Sequence, residues 1–417
     1  MINLITMPTF LQLSLLLASL LLLAKLSGYV SIRLNQPSVL GELIVGILLG
    51  PSVLNFLHLP FFDEETTMHF VVELGEIGVL LLMFIAGLEL HLDELSGNLK
   101  VSALAGTMGV ILPFGLAWGG GLLLGMTSKT AAFLGLVLGA TSVSISAQTL
   151  MELKMLKSRV GLSLLGAAVF DDVLVILFLA IFFAVISGAT NAVSILLIFG
   201  RMLVFFALAA AFGIWLLPRL VRVVRDLPIS QNVLSLAVVT LFFYGLAAEL
   251  IGHVAAITGA FLAGLMFART PEKETLEPRI SALAYGFFVP IFFVSIGMKT
   301  SLSLREGTWG LILGILVIAI AGKWLGVLLG AKAGKFPWRE SIQLGAGMIS
   351  RGEVGLIIAN TGLNSNLLNA EELSAVVAMV IVTTLITPPI LRWLFHLPPD
   401  WKPQRLSRRR LKEYNHE

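Results

Sequence analysis

The stretch VGLSLLGAAVFDDVLVILFLAIFF, residues 160–183, carries two adjacent aspartates inside one apolar run. A bilayer crossing takes about 20 consecutive apolar residues, and this run exceeds that. Arg159 marks one edge. Asp171 lies twelve residues further on, about 18 Å at 1.5 Å per helical residue, so the pair falls near mid-depth. A carboxylate there costs at least about 2.5–3.5 kcal/mol on insertion scales. Two of them need partners, a wetted cavity or bound protons. Neighbouring helical positions point about 100° apart, so Asp171 and Asp172 look into different surroundings. One can line a cavity while the other pairs inside the protein. The plainer alternative is a structural polar pair that ties helices together.

The rest of the chain has the same character. Of 417 residues, 57% are hydrophobic and 13% are charged, with mean hydropathy +0.95 and no cysteine. Soluble domains carry about 25% charged residues. A disordered chain, a disulfide scaffold, an ordinary soluble enzyme and any cysteine-ligated metal or iron–sulfur centre are excluded. A single core rarely grows past about 250–300 residues, so lipid is the remaining solvent for this much apolar surface. Thirteen spans are predicted, at about 7–27, 38–57, 71–90, 101–125, 130–152, 160–187, 193–217, 231–250, 253–269, 281–298, 308–331, 340–362 and 372–395. The first basic residue, Lys25, follows the first apolar run, so that run reads as a retained helix rather than a secretory signal. Residues 1–396 form the transmembrane domain, and 397–417 a basic cytoplasmic tail.

Basic residues set the orientation. Loops after odd-numbered spans, with the tail, hold 22 Lys and Arg, whereas the N-terminus and the even-numbered loops hold 3, Lys129, Lys299 and Arg305. By the positive-inside rule the N-terminus is outside and the C-terminus cytoplasmic, as in a multi-pass protein of a bacterial-type inner membrane. This distribution also discounts nucleic acid as the partner of a chain with pI 9.2. No glycine-rich phosphate loop or nucleotide-binding regulatory domain is read, and the six histidines show no metal-ligand spacing.

The chain repeats weakly. LGATSVSISAQ (138–148) matches LGAGMISRGEV (344–354) at an offset of 206, and Gly87 matches Gly297 at 210. Offsets of 206–218 lay spans 2–6 on spans 9–13. Mates seven spans apart are inverted in the membrane, giving a 6 + 1 + 6 plan common among secondary transporters. Both copies contain a weakened helix. Span 5 carries Gly139, Thr141, Ser142, Ser144 and Ser146; span 12 carries Gly345, Gly347, Ser350, Arg351, Gly352 and Glu353. Paired interrupted helices at equivalent positions point to a transporter's binding site, although small residues also serve tight helix packing.

Span 11 places Lys323 near mid-depth. It needs a carboxylate, and one of the adjacent aspartates is the natural partner. Burial lowers a lysine pKa and a paired carboxylate raises it, so changing the pairing lets such a lysine exchange a proton; a static ion pair is the alternative. Arg351 and Glu353, two residues apart, do not share a helix face. Both read as structural supports more than transport groups, Glu353 neutralising basic charge and Arg351 bonding carbonyls of the broken helices.

GELIVGILLGP (41–51), GVLLLMFIAGLEL (78–90), GATSVSISAQ (139–148), FDD (170–172), AGKWLG (321–326) and SRGEVGL (350–356), in this order and over nearly the whole chain, resemble the monovalent cation:proton antiporter superfamily in its bacterial Kef- and NapA-like branch. The resemblance implies an all-α fold of 13 transmembrane helices in which two unwound helices cross beside the ion site. It implies core helices at about 71–187 and 281–395, dimerisation helices at about 7–57 and 231–269, and a linker helix at 193–217. The core moves as an elevator against a homodimeric scaffold. Asp172 then looks like the main sodium and proton ligand, and Asp171 the partner of Lys323. Thr141 and Ser142 lie in the unwound stretch beside the site, Thr141 as a further sodium ligand, with Ser350, Arg351 and Glu353 in support. Potassium-selective Kef-type members typically carry a Gln-Asp pair and a nucleotide-binding domain. The Asp-Asp pair here implies electrogenic exchange of sodium or lithium for protons, with potassium/proton exchange by the same fold as the alternative. No enzymatic activity and no cofactor is expected; the partners are the bilayer, monovalent cations and protons.

Three rival classes are distinguishable. An intramembrane aspartyl protease needs its carboxylates on different helices, usually with a GxGD segment, which is absent. A channel passes voltage-driven current without proton countertransport. A sensor built on an antiporter scaffold transports too slowly to change ion content.

Overall fold

The computed structural model describes residues 8–60, 62–89, 97–186, 192–299 and 309–395. The basic tail at 397–417 and the side chain of Glu353 lie outside the described residues. Among the described residues all regular elements are helical: α1 (Thr9–Arg33), α2 (Ser38–Leu49), α3 (Glu64–Leu88), α4 (Leu99–Leu123), α5 (Ser128–Gly139), α6 (Val143–Glu152), α7 (Arg159–Ile186), α8 (Ala192–Ala211), α9 (Leu217–Arg225), α10 (Asn232–Ala247), α11 (Ala256–Phe267), α12 (Lys273–Leu283), α13 (Val289–Met298), α14 (Trp309–Ala333), α15 (Trp338–Gly347), α16 (Glu353–Asn364) and α17 (Ala370–Phe395), besides a few single turns.

Ten helices among these residues are long and apolar enough to cross a membrane, counting α5 with α6, α8 with α9 and α12 with α13 as single crossings. The other three predicted spans hold shorter helices, for local reasons. α2 stops at Leu49 because Gly50 is extended and Pro51 follows, and a proline has no N–H with which to extend the hydrogen-bond ladder. α11 begins only at Ala256, because His253 is left-handed (φ +53°) and Ala255 extended. The segment over 340–362 is cut between Gly347 and Glu353.

The outward faces are apolar: Leu123, Trp215, Phe243, Trp309, Trp338 and Trp393 are all exposed. A monomer in water rarely shows such surface, but hydrocarbon accepts it. The centre is the broken helix. Of the most apolar stretch of Ser128–Glu152, 89% is buried, against 22% for α1 at the rim.

The helices pack in two groups that meet along α6. In one, α4 lies along α14, α5 and α7, while α15 and α17 pack on α14. In the other, α2 packs on α1 and α13, α3 on α11 and α13, and α10 on α11. Glycine lets the second group approach backbone to backbone. A Cβ on Gly41 would overlap the Ser27 carbonyl, and one on Gly46 the Val294 carbonyl. The same pattern recurs later: Gly259 against the Tyr244 carbonyl and Gly264 against the Phe84 carbonyl. Gly87 and Gly297 complete the reciprocal contacts, on Phe261 and on the Gly46–Ile47 backbone.

These contacts make a direct test. Gly264→Ala should force α3 and α11 apart and cost about 1–3 kcal/mol, as overpacking does. Gly314→Ala, at a glycine with nothing within 4 Å, is the control. Thermal unfolding in detergent should show a clear drop in Tm for the first variant and none for the second.

Candidate functional site

The site is built where two helices stop in mid-protein and meet. Ala140 and Ser142 adopt extended backbone between α5 and α6, and Gly352, also extended, closes the break before α16. The two breaks bond to each other. Ser142 N–H donates to the Ser350 carbonyl at 2.9 Å, and the Ser350 hydroxyl donates to the Ser142 carbonyl at 2.6 Å. Ser146 Oγ donates to the Gly347 carbonyl at 2.5 Å. A Cβ on Gly352 would stand 2.6 Å from Ser142 Oγ, so only glycine allows this approach.

An interrupted helix leaves carbonyls at its C-terminal end and N–H groups at the next N-terminal end. Two buried cations serve the carbonyl end of α5. Lys323 Nζ donates to the Gly139 carbonyl at 2.7 Å. The Arg351 guanidinium donates to the Ala140 carbonyl, to the Gly139 carbonyl at 3.4 Å and to the Ala319 carbonyl of α14 at 3.2 Å. Cations at a helix C-terminus also complement its dipole. The Arg351 carbonyl is in turn held by Thr384 Oγ1 of α17 at 2.7 Å. Gly109 of α4 packs against the same face of α14, where a Cβ would stand 2.8 Å from Val327 Cγ2.

The adjacent aspartates do diverge. Asp171 is fully buried and pairs with Lys323, Oδ1 to Nζ 2.6 Å. Asp172 is half-buried and lines a cavity of about 10 Å³ with Val143, Ile257, Thr258 and Phe261, about the least that admits one water. Thr258 Oγ1, on α11, donates to Asp172 Oδ2 at 3.0 Å. At the crossing, among the described residues, two buried side-chain oxygens make no hydrogen bond: Thr141 Oγ1 and Asp171 Oδ2. Unpaired buried oxygens are costly and are natural ligands for a small hard cation. Among the described residues no three His, Asp or Glu converge as a metal centre.

The structure therefore gathers Thr141, Ser142, Ser350, Arg351, Asp171 and Lys323 into one buried crossing, with Asp172 on its α11 side; of Glu353 only the backbone, opening α16, is described. Arg351 bonds carbonyls of a broken helix as expected, at Gly139 and Ala140, whereas Thr258, Thr384 and the Ala319 carbonyl were beyond sequence reasoning. A threonine in an apolar helix carries no distinguishing signal, and a carbonyl carries none at all.

The sodium/hydrogen exchanger transmembrane family matches residues 18–397 of the chain. The chain belongs to this family. The exchanger is accordingly a transporter of the monovalent cation:proton antiporter superfamily and not an enzyme. It is 43% identical over 379 residues to the Na(+)/H(+)-K(+) antiporter GerN of Bacillus cereus, covering 91% of this chain and 95% of that protein. It is 33% identical over 378 residues to an Na(+)/H(+) antiporter of Enterococcus hirae, covering 90% of this chain and 96% of that protein. Its fold is similar to that of the sodium proton antiporter MjNhaP1 of Methanocaldococcus jannaschii, with TM-score 0.66 at 16% identity over 92% of this chain and 97% of that chain.

Proposed function

We propose that the exchanger moves sodium or lithium against protons, electrogenically, with Asp172 as the group that carries either ion. The observation that supports this most directly is the half-buried Asp172 carboxylate beside the crossing that holds the unpartnered Thr141 hydroxyl. A partly desolvated carboxylate holds a proton or an alkali cation, not both. Protons on one side displace the cation, and the cation on the other side displaces protons. Exchange is coupled if only the neutralised, loaded site crosses the dry barrier. No resident cofactor is needed, since sodium and protons are the cargo.

The moving part in this reading is a bundle of α4–α7 and α14–α17, sliding as an elevator against a frame of α1–α3 and α10–α13, with α8 and α9 linking them. The boundary is drawn after α3 and α13, one helix later in each half than the resemblance implies. The reason is that these helices interlock through Gly46, Gly87, Gly264 and Gly297 with α2 and α11. The glycine contacts also support thirteen crossings in an inverted 6 + 1 + 6 repeat: Gly41 and Gly46 stand 218 positions before Gly259 and Gly264, and their partners Phe84 and Val294 are 210 apart. An N-outside, C-inside orientation, a plasma-membrane location and a homodimer complete the proposal.

Access from one side is supported by a cavity of about 380 Å³ between frame and bundle, lined by Lys25, Glu42, Glu89, Gln148 and Glu152. It lies at the far end of α6 from the crossing, on the side of Lys25 and Arg33, which the positive-inside rule makes cytoplasmic. Potassium is the second reading of the cargo, favoured by the Bacillus cereus relative, an Na(+)/H(+)-K(+) antiporter.

The test is a proteoliposome assay with an entrapped pH dye, adding Na⁺, Li⁺ and K⁺ in turn with and without an imposed potential. Sodium- or lithium-driven proton movement that responds to voltage is expected. Proton movement driven by potassium alone would replace the cargo, and cation current without any proton movement would reject exchange.

A further inference from the structure

The hydrogen bond from Thr258 to Asp172 joins the two groups of helices. Asp172 sits on α7, and Thr258 on α11. α11 is firmly set against its own neighbours, since Gly259, next to Thr258, lies on the Tyr244 carbonyl and Gly264 on that of Phe84. The hydroxyl is thus presented to the carboxylate from a fixed support. Around the bond the lining is Met83, Val143, Leu165, Ile257 and Phe261, with space for at most about one water. Lys323, whose charge also acts on Asp172, is already paired with Asp171. In such surroundings a hydrogen bond to an ionised carboxylate shifts an equilibrium by about ten- to a hundredfold, and one to a neutral acid by roughly a tenth as much.

We propose that Thr258 is a latch for the unloaded carrier: its hydroxyl holds the ionised, cation-free Asp172 carboxylate and so keeps the bundle from crossing empty. The proposal rests on the exchange reading above and adds to it the residue that enforces coupling. A proton or a cation on Asp172 neutralises the acceptor and weakens the bond. The loaded bundle then leaves Thr258 behind at little cost, whereas the empty one must break a charge-assisted bond as well as carry a bare charge through the barrier. Loss of the latch opens the slip path, in which one ion crosses and the carrier returns empty. Thr258 is a positioning residue in this scheme; it acts through Asp172.

The experiment uses the full chain in proteoliposomes and compares wild type, Thr258→Val and Thr258→Ser. Two fluxes are read: proton movement under an imposed potential with no alkali cation present, and sodium-driven proton movement, with the KM for sodium. Thr258→Val should raise the cation-independent proton leak about tenfold and lower the sodium-to-proton coupling ratio, while Thr258→Ser, which keeps the hydroxyl, should restore a tight carrier. Thr258→Ala is read in the same way if the valine variant does not assemble. A leak that stays at the wild-type level in the hydroxyl-free variants overturns the latch. So does a raised sodium KM with tight coupling, which makes Thr258 a cation ligand instead. Absence of any cation-dependent proton movement in the wild type is a different failure, that of the exchange reading itself.

Discussion

Asp172→Asn abolishes sodium-dependent proton movement in proteoliposomes, with a fall of at least about a hundredfold. The amide has nearly the volume of the carboxylate, so packing against Val143, Ile257 and Phe261 is retained and Thr258 still finds an oxygen to bond. What is lost is the charge. An amide neither takes up a proton at working pH nor balances an alkali cation, so both limbs of the exchange stop together. Stability moves the other way: a charge at mid-membrane costs at least about 2.5–3.5 kcal/mol, and the neutral variant should unfold at or above the wild-type Tm. Those two readouts separate a missing ligand from a broken protein. Full retained exchange in Asp172→Asn would reject the assignment. A lower Tm with lost exchange would leave Asp172 as a structural group. Asp171→Asn behaves differently, because it strands Lys323 without its carboxylate in a fully buried setting.

What the sequence revealed of this site follows from the solvent. Lipid demands long apolar runs, so the charged residues that interrupt them stand out. Asp171, Asp172, Lys323 and Arg351 were conspicuous for that reason alone. Their pairing was less so. Helical geometry says that adjacent aspartates diverge, but which one meets Lys323 depends on the rotation of α7 against α14, and that came from resemblance. The breaks at Ala140–Ser142 and Met348–Gly352 were signalled by serines and glycines on equivalent positions of a repeat. Their mutual hydrogen bonds were not, because they run through backbone groups every residue shares. The shortness of α2 and α11 was hidden for another reason: hydropathy continues past Leu49 and before Ala256, while the helix does not. Gly50 with the proline after it and left-handed His253 set those ends, local signals that a hydropathy average does not register.

Lys323→Gln is the variant whose two effects are largest and separable. Lys323 and Asp171 are both fully removed from water, at 2.6 Å from each other. Taking away one member of a buried ion pair leaves an uncompensated charge, which typically costs about 3–5 kcal/mol. The single variant should show a sharply lowered Tm, and the Asp171→Asn, Lys323→Gln double variant should recover much of the loss, since neither member of the pair is left without the other. Arg351, whose charge also acts on Asp171, offsets part of this cost, while its hydrogen bonds go to the carbonyls of Gly139, Ala140 and Ala319. The functional effect is distinct. If separation of Asp171 from Lys323 lets the lysine release a second proton for each cation bound at Asp172, the cycle moves net charge, and a membrane potential acts on it with about 2.3 kcal/mol per elementary charge per 100 mV. Glutamine has no proton to release. Exchange should persist at a reduced rate in Lys323→Gln, and its acceleration by an imposed potential should fall toward nothing, with the double variant showing the same voltage insensitivity at restored stability. That last comparison decides the matter: a stable double variant that still responds to voltage as the wild type does removes Lys323 from the coupling scheme and leaves the pair as a strut beneath Asp172.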